Sequence, residues 1–149
     1  MKKILVVCMG NICRSPTGEA VLKAKALEQG VNVEVDSAGT IGYHTGHSPD
    51  RRAMVAGKLR GYSFDGMRAR QVAVSDFEYF DMILAADKAN LADLLDMCPS
   101  KYRDKVSLFL SHSTSAYDEI PDPYYGDGDG FELVLDLIED ASVEILNKL

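Results

Sequence analysis

Ile4-Leu5-Val6-Val7-Cys8-Met9-Gly10-Asn11-Ile12-Cys13-Arg14-Ser15-Pro16 is the stretch on which the reading of the fold turns. Its first half, Ile4 to Cys8, is a short apolar run rich in β-branched residues. Such a run suits a buried strand, although it also fits a piece of buried helix. The pair Gly10-Asn11 breaks it. Pro16 then stands where a first helical turn tolerates proline, with Ser15 as a natural N-cap in front of it. Ala20, Val21, Ala24 and Leu27 mark a helical stripe that ends at Gly30. The stretch therefore reads as strand, loop and helix.

The same grammar continues outward. Val31, Val33 and Val35 alternate with other residues and predict a second strand. Ser48-Pro49-Asp50 opens a helix through about Leu59, closed near Gly61. Phe80 to Ala86 predicts a third strand, Asp87 to Met97 a helix, and Val106 to Leu110 a fourth strand. Ser111 to Gly130 is rich in Ser, Asp, Pro and Gly and reads as a long loop, a class that is disproportionately functional. Phe131, Val134, Leu135, Ile138, Ser142, Ile145 and Leu149 step by three and four through most of a last helix. This alternation predicts an α/β fold of three layers, a four-stranded parallel sheet with helices on both faces. In such folds ligands sit at the carboxyl ends of the strands, and Cys8 lies at one.

Composition narrows the function classes. The 149 residues fit a single domain spanning 1–149. A net charge of -7 argues against nucleic acid as a partner, because phosphate backbones demand an excess of Lys and Arg. Three cysteines make no disulfide framework, and their spacing matches no zinc site. The apolar stretch after Lys2-Lys3 is too short for a secretory signal, and no run approaches a membrane span. The expectation is a cytoplasmic protein with no membrane association and with thiols kept reduced.

Cys8 to Ser15 forms the pattern C-x5-R-S between a predicted strand and a predicted helix. A loop curling into a helix N-terminus aims several backbone N–H groups at one point, which suits a phosphate dianion. Met9, Gly10, Asn11, Ile12, Cys13, Arg14 and Ser15 are the candidate phosphate-binding residues. Gly10 and Asn11 tolerate the left-handed backbone angles of a tight cradle. Arg14 adds a planar, two-pronged donor. The same field favours a thiolate at Cys8, and the Ser15 hydroxyl can donate to it. A sulfur nucleophile beneath a phosphate predicts attack on phosphorus and a phosphocysteine intermediate. A leaving phenolate needs a proton donor. Asp122, between Pro121 and Pro123, is the candidate, since the prolines restrict its wandering. Alone it would pass for a turn residue. A neighbouring thiolate and phosphate favour its protonated form, which biases activity toward mildly acidic pH.

The segment Cys8-Met9-Gly10-Asn11-Ile12-Cys13-Arg14-Ser15-Pro16 closely resembles the signature loop of the low-molecular-weight protein tyrosine phosphatases. The resemblance extends through Asp36-Ser37-Ala38-Gly39-Thr40, Ser48-Pro49-Asp50, Ala69-Arg70-Gln71, Phe80-Asp81, Asp87 and Ile120-Pro121-Asp122-Pro123-Tyr124-Tyr125-Gly126. It implies a four-stranded parallel sheet, no metal and no organic cofactor. It also implies that Asp122 first donates a proton and then activates water, with Cys8, Arg14 and Asp122 as the catalytic set. Asn11 resembles the asparagine that braces the loop through positions matching Ser15 and Ser37. A histidine usually completes that network, and Met67 stands at the matching position here. Tyr43 matches an aromatic of the cleft, and Tyr124 and Tyr125 match tyrosines that some members carry phosphorylated. All three are candidate walls for a flat ring. Apolar Ile12 favours a phenyl ring, whereas the related arginine-phosphate phosphatases carry threonine there. A Cys8–Cys13 pairing under oxidation is a further family implication.

The partners implied are tyrosine-phosphorylated proteins or small aryl phosphates, acted on by a monomer or weak dimer. Three other readings stay open on the sequence: a phosphoarginine phosphatase, an arsenate reductase with a similar loop, and a non-catalytic anion-binding or redox-sensing module. The reductase needs further cysteines downstream to pass oxidation along, and only Cys98 is there. Cys98, His44, His47 and His112 read as structural or surface positions.

Overall fold

A computed structural model describes residues 1–123 and 130–149. Its strands are β1 (Lys2–Cys8), β2 (Val33–Gly39), β3 (Met82–Ala85) and β4 (Val106–Leu108). Its α-helices are α1 (Arg14–Gln29), α2 (Arg51–Leu59), α3 (Val74–Tyr79), α4 (Lys88–Met97) and α5 (Gly130–Asn147). The four strands form one parallel sheet in the order β2-β1-β3-β4. β1 is thus flanked by β2 and β3, which makes its carboxyl end the place where the strand order reverses.

Strand alternation divides the core in two. Ile4 and Val6 of β1 face one way, against Val21 and Leu22 of α1 and Leu135, Ile138 and Ile145 of α5. Leu5 and Val7 face the other way, with Phe77 of α3, Phe80 and Leu94 of α4. Both faces of the sheet are covered, as the element order implied. No helix among the described residues is long and apolar enough to cross a membrane.

Several local readings are corrected. Ser15 is not the N-cap of α1: the helix begins at Arg14 with Cys13 in the cap position, and the Ser15 hydroxyl is engaged elsewhere. Val31 lies just past the end of α1, where its N–H bonds Ala26 O at 2.9 Å, and β2 starts only at Val33. The fourth strand stops at Leu108, and Phe109–His112 form a 3₁₀ turn. α3, with only six residues, had no stripe long enough to be read from sequence.

That 3₁₀ turn plants Phe109, fully buried, on the face of the sheet covered by α1 and α5. A Cβ on Gly18 of α1 would lie 3.4 Å from its ring. Phe109→Ala is expected to cost about 3–5 kcal/mol through the cavity it leaves, read as a lower urea midpoint with little change in slope.

Candidate active site

β1 ends at Cys8 and α1 begins at Arg14, so the intervening loop crosses the carboxyl end of the central strand. Its carbonyls turn outward. Cys8 O accepts from Thr40 N at 2.9 Å, Met9 O from Ile41 N at 3.1 Å and Ile12 O from Asp50 N at 2.6 Å. In planar trans peptides the next N–H points the opposite way, so the amides of Met9, Gly10 and Cys13 face away from those segments. Close approach makes this possible: a Cβ on Gly39 would fall 2.7 Å from Met9 O.

Among the described residues Asn11 is the one non-glycine with positive φ, 58°. Gly10, expected to be left-handed as well, is not. Its small size serves another purpose, since a Cβ there would lie 2.9 Å from Cδ2 of His44. Asn11 holds its conformation through its side chain. Nδ2 donates to Ser15 Oγ at 2.8 Å and to Ser37 Oγ at 3.0 Å, while Oδ1 accepts from Arg70 N at 3.0 Å. The network continues as Ser37 Oγ donates to Glu19 Oε1 at 2.7 Å, and Glu19 is paired with Lys23. A carboxylate thus receives the Ser37 proton, while Met67 packs against the apolar core.

The Cys8 sulfur lies 3.1 Å from Ser15 Oγ. Arg14 is buried, with Nη1 donating to Asp87 Oδ2 at 2.7 Å and to Ile120 O at 3.0 Å, and Nη2 3.7 Å from Asp122 Oδ2. Burial works against the guanidinium's charge. The hydrogen bond to Asp87 and the charges of Cys8, Asp87 and Asp122 outweigh it, so Arg14 stays protonated above its ordinary range. Cys13 is shifted upward chiefly by burial and then by Asp50, which keeps it a thiol.

Cys8, Met9, Gly10, Ile12, Cys13, Arg14 and Asp122 line one cleft of about 220 Å³. Ile41, Tyr43 and His44 complete its walls. Asn11, Ser15 and Ser37 are buried outside that lining. Tyr43 is 82% exposed and meets the His44 ring edge-on at 4.8 Å. Tyr124 and Tyr125 lie outside the described residues. Sequence reasoning missed His44, read as a surface position, and the roles of Asp87, Glu19 and Ile41. The Asp87 motif and its helix-start position were visible, but not its partner. No cluster of three or more metal-ligating side chains exists among the described residues.

Asn11→Ala removes three hydrogen bonds and places alanine in a left-handed conformation. The expected destabilisation is about 2–4 kcal/mol in urea unfolding.

The model of the family described as low molecular weight phosphotyrosine protein phosphatase matches residues 3–149. A Bacillus subtilis low molecular weight protein-tyrosine-phosphatase is 38% identical, covering 100% of this chain and 96% of that protein. The human low molecular weight phosphotyrosine protein phosphatase is 40% identical over 89% of this chain and 86% of its own. A crystal structure of a protein tyrosine phosphatase from Entamoeba histolytica superposes with a TM-score of 0.96 at 43% identity, covering 99% of this chain and 96% of that one. A cysteine, an arginine and an aspartate gathered at the switch point of this sheet accord with those matches, and the chain belongs to the low molecular weight phosphotyrosine protein phosphatase family.

Proposed function

We propose that this chain, as a single domain, hydrolyses phosphotyrosine on proteins, and small aryl phosphates, through a phosphocysteine intermediate. The observation that carries the reading is the sharing of one cleft by Cys8, Arg14 and Asp122, walled by apolar Ile12, Ile41 and Tyr43. A sulfur nucleophile, a fixed guanidinium and a carboxyl group make a complete set for displacement at phosphorus.

The Cys8 thiolate attacks phosphorus, forming the S–P bond as the bond to the phenolic oxygen breaks. Asp122 gives that oxygen its proton. Arg14 and the loop amides hold the equatorial oxygens, whose charge the guanidinium matches best in the transition state. Water then attacks phosphorus, Asp122 takes its proton, and Cys8 departs as a thiolate stabilised by the Ser15 hydroxyl. Inorganic phosphate is released. The intact cysteine needs a reducing compartment, which favours the cytoplasm.

Ile12 and Ile41 favour an aryl ring over a guanidinium, which sets phosphotyrosine ahead of phosphoarginine. Cys98 belongs to the apolar cluster on the far side of the sheet from Cys8, an arrangement unsuited to a disulfide relay in arsenate reduction.

Cys8→Ser is expected to abolish turnover of phosphotyrosine peptide while retaining its binding. Wild type is expected to leave phosphoserine and phosphoarginine peptides nearly untouched. Equal turnover of all three would refute the substrate assignment. Asp122→Ala is expected to lower kcat about 10²–10⁴-fold for phenyl phosphate, and much less for p-nitrophenyl phosphate, whose leaving group needs little protonation. The alkaline limb of the kcat profile should vanish with it.

A further inference from the structure

Asp122, 3.7 Å from Arg14 Nη2, is carried by a segment that is anchored at further points upstream. Two residues before it, Ile120 is fixed in the core: its side chain is 1% exposed, its N–H bonds Ala86 O at 2.8 Å, and its carbonyl receives Arg14. One residue further back, the Glu119 carboxylate accepts the backbone N–H of Lys88 at 2.9 Å. Lys88 is the first residue of α4, and its N–H is one of the amides that no carbonyl within the helix can satisfy. Asp87, the N-cap, takes the amide of Asn90 at 2.8 Å and with its other oxygen holds Arg14. The Lys88 ammonium meets Asp118 at 3.0 Å, but both groups are exposed, so that pair contributes little.

The consecutive residues Asp87 and Lys88 therefore grip the two halves of the cleft. One holds the guanidinium by a carboxylate, and the other holds the acid-bearing segment by an amide. Pro121 restricts the backbone between the Ile120 anchor and Asp122. Glu119 adjoins that anchor, so losing its bond to Lys88 loosens the backbone leading into Ile120 and, with the anchor, the placement of the carboxyl group that protonates the leaving oxygen.

We propose that Glu119 is a positioning residue for the general acid, docking the Asp122 segment on the N-terminus of α4. This rests on the acid role proposed for Asp122. A misplaced acid harms only substrates that need a proton. Glu119→Ala is expected to lower kcat about fivefold for phenyl phosphate, equivalent to ~1 kcal/mol. The loss for p-nitrophenyl phosphate should stay below about twofold. Glu119→Gln keeps an oxygen acceptor for the Lys88 amide and is expected to restore most of the loss.

Lys88→Pro removes the donor at a helix position that favours proline, after a residue already extended (Asp87 φ -146°, ψ 175°). It should reproduce the leaving-group dependence of Glu119→Ala. Equal losses on both substrates, or none on either, would overturn the proposal, since a purely structural contact would not discriminate leaving groups. Asp122→Ala run beside it separates the two levels. A steep Asp122→Ala response with a flat Glu119→Ala response overturns the positioning role alone. A flat Asp122→Ala response overturns the acid assignment and the positioning role together.

Discussion

The burial of Arg14 is the constraint around which the site is organised. Its side chain is 5% exposed, and an ion removed from water costs several kcal/mol unless its hydrogen bonds are met. The groups that meet them come from distant parts of the chain, Asp87 at the start of α4 and the carbonyl of Ile120, while the carboxylate of Asp122 stands 3.7 Å away as a further counter-charge. Satisfying one cation thus draws the end of β1, the start of α4 and the segment carrying Asp122 to one point. The energetic demand of folding and the geometric demand of chemistry coincide there.

A second network, built on amide and hydroxyl groups, backs the loop. Asn11 bridges Ser15, Ser37 and Arg70, so the left-handed turn of the loop is tied to β2 and to the segment following α2. With Glu19 accepting from Ser37, the chain of hydrogen bonds from the Cys8 sulfur ends on a carboxylate paired with lysine. The methionine at position 67 contributes apolar contact instead of a hydrogen bond. The surroundings of the Cys8 sulfur are therefore set from below by hydrogen bonds and from above by ring and aliphatic walls.

Much of this was legible because it is local. The strand-loop-helix at Cys8, the glycine that stops α1 and the segments that open α2 and α4 are short-range signals, and they placed the sheet and its edge. What failed was decided by distant partners. Ser15 has the chemistry of an N-cap, but Cys8 and Asn11 claim its hydroxyl. Phe109 and Leu110 continue an apolar run as a strand would, but packing bends them into a 3₁₀ turn. His44 looks like any polar loop residue, and only the fold sets its ring over Gly10. Motif letters identified Arg14, Asp87 and Asp122, whereas the pairing of both aspartates with that one arginine emerged only in three dimensions.

The span of the Arg14–Ile120 contact, 106 residues, has a consequence for the order of folding. Contacts of such separation close late, because loop entropy must be overcome before they are rewarded. Until the segment around Ile120 docks, the guanidinium of Arg14 lacks one of its acceptors, so the end of β1 and its cleft are completed only in the last stage of folding.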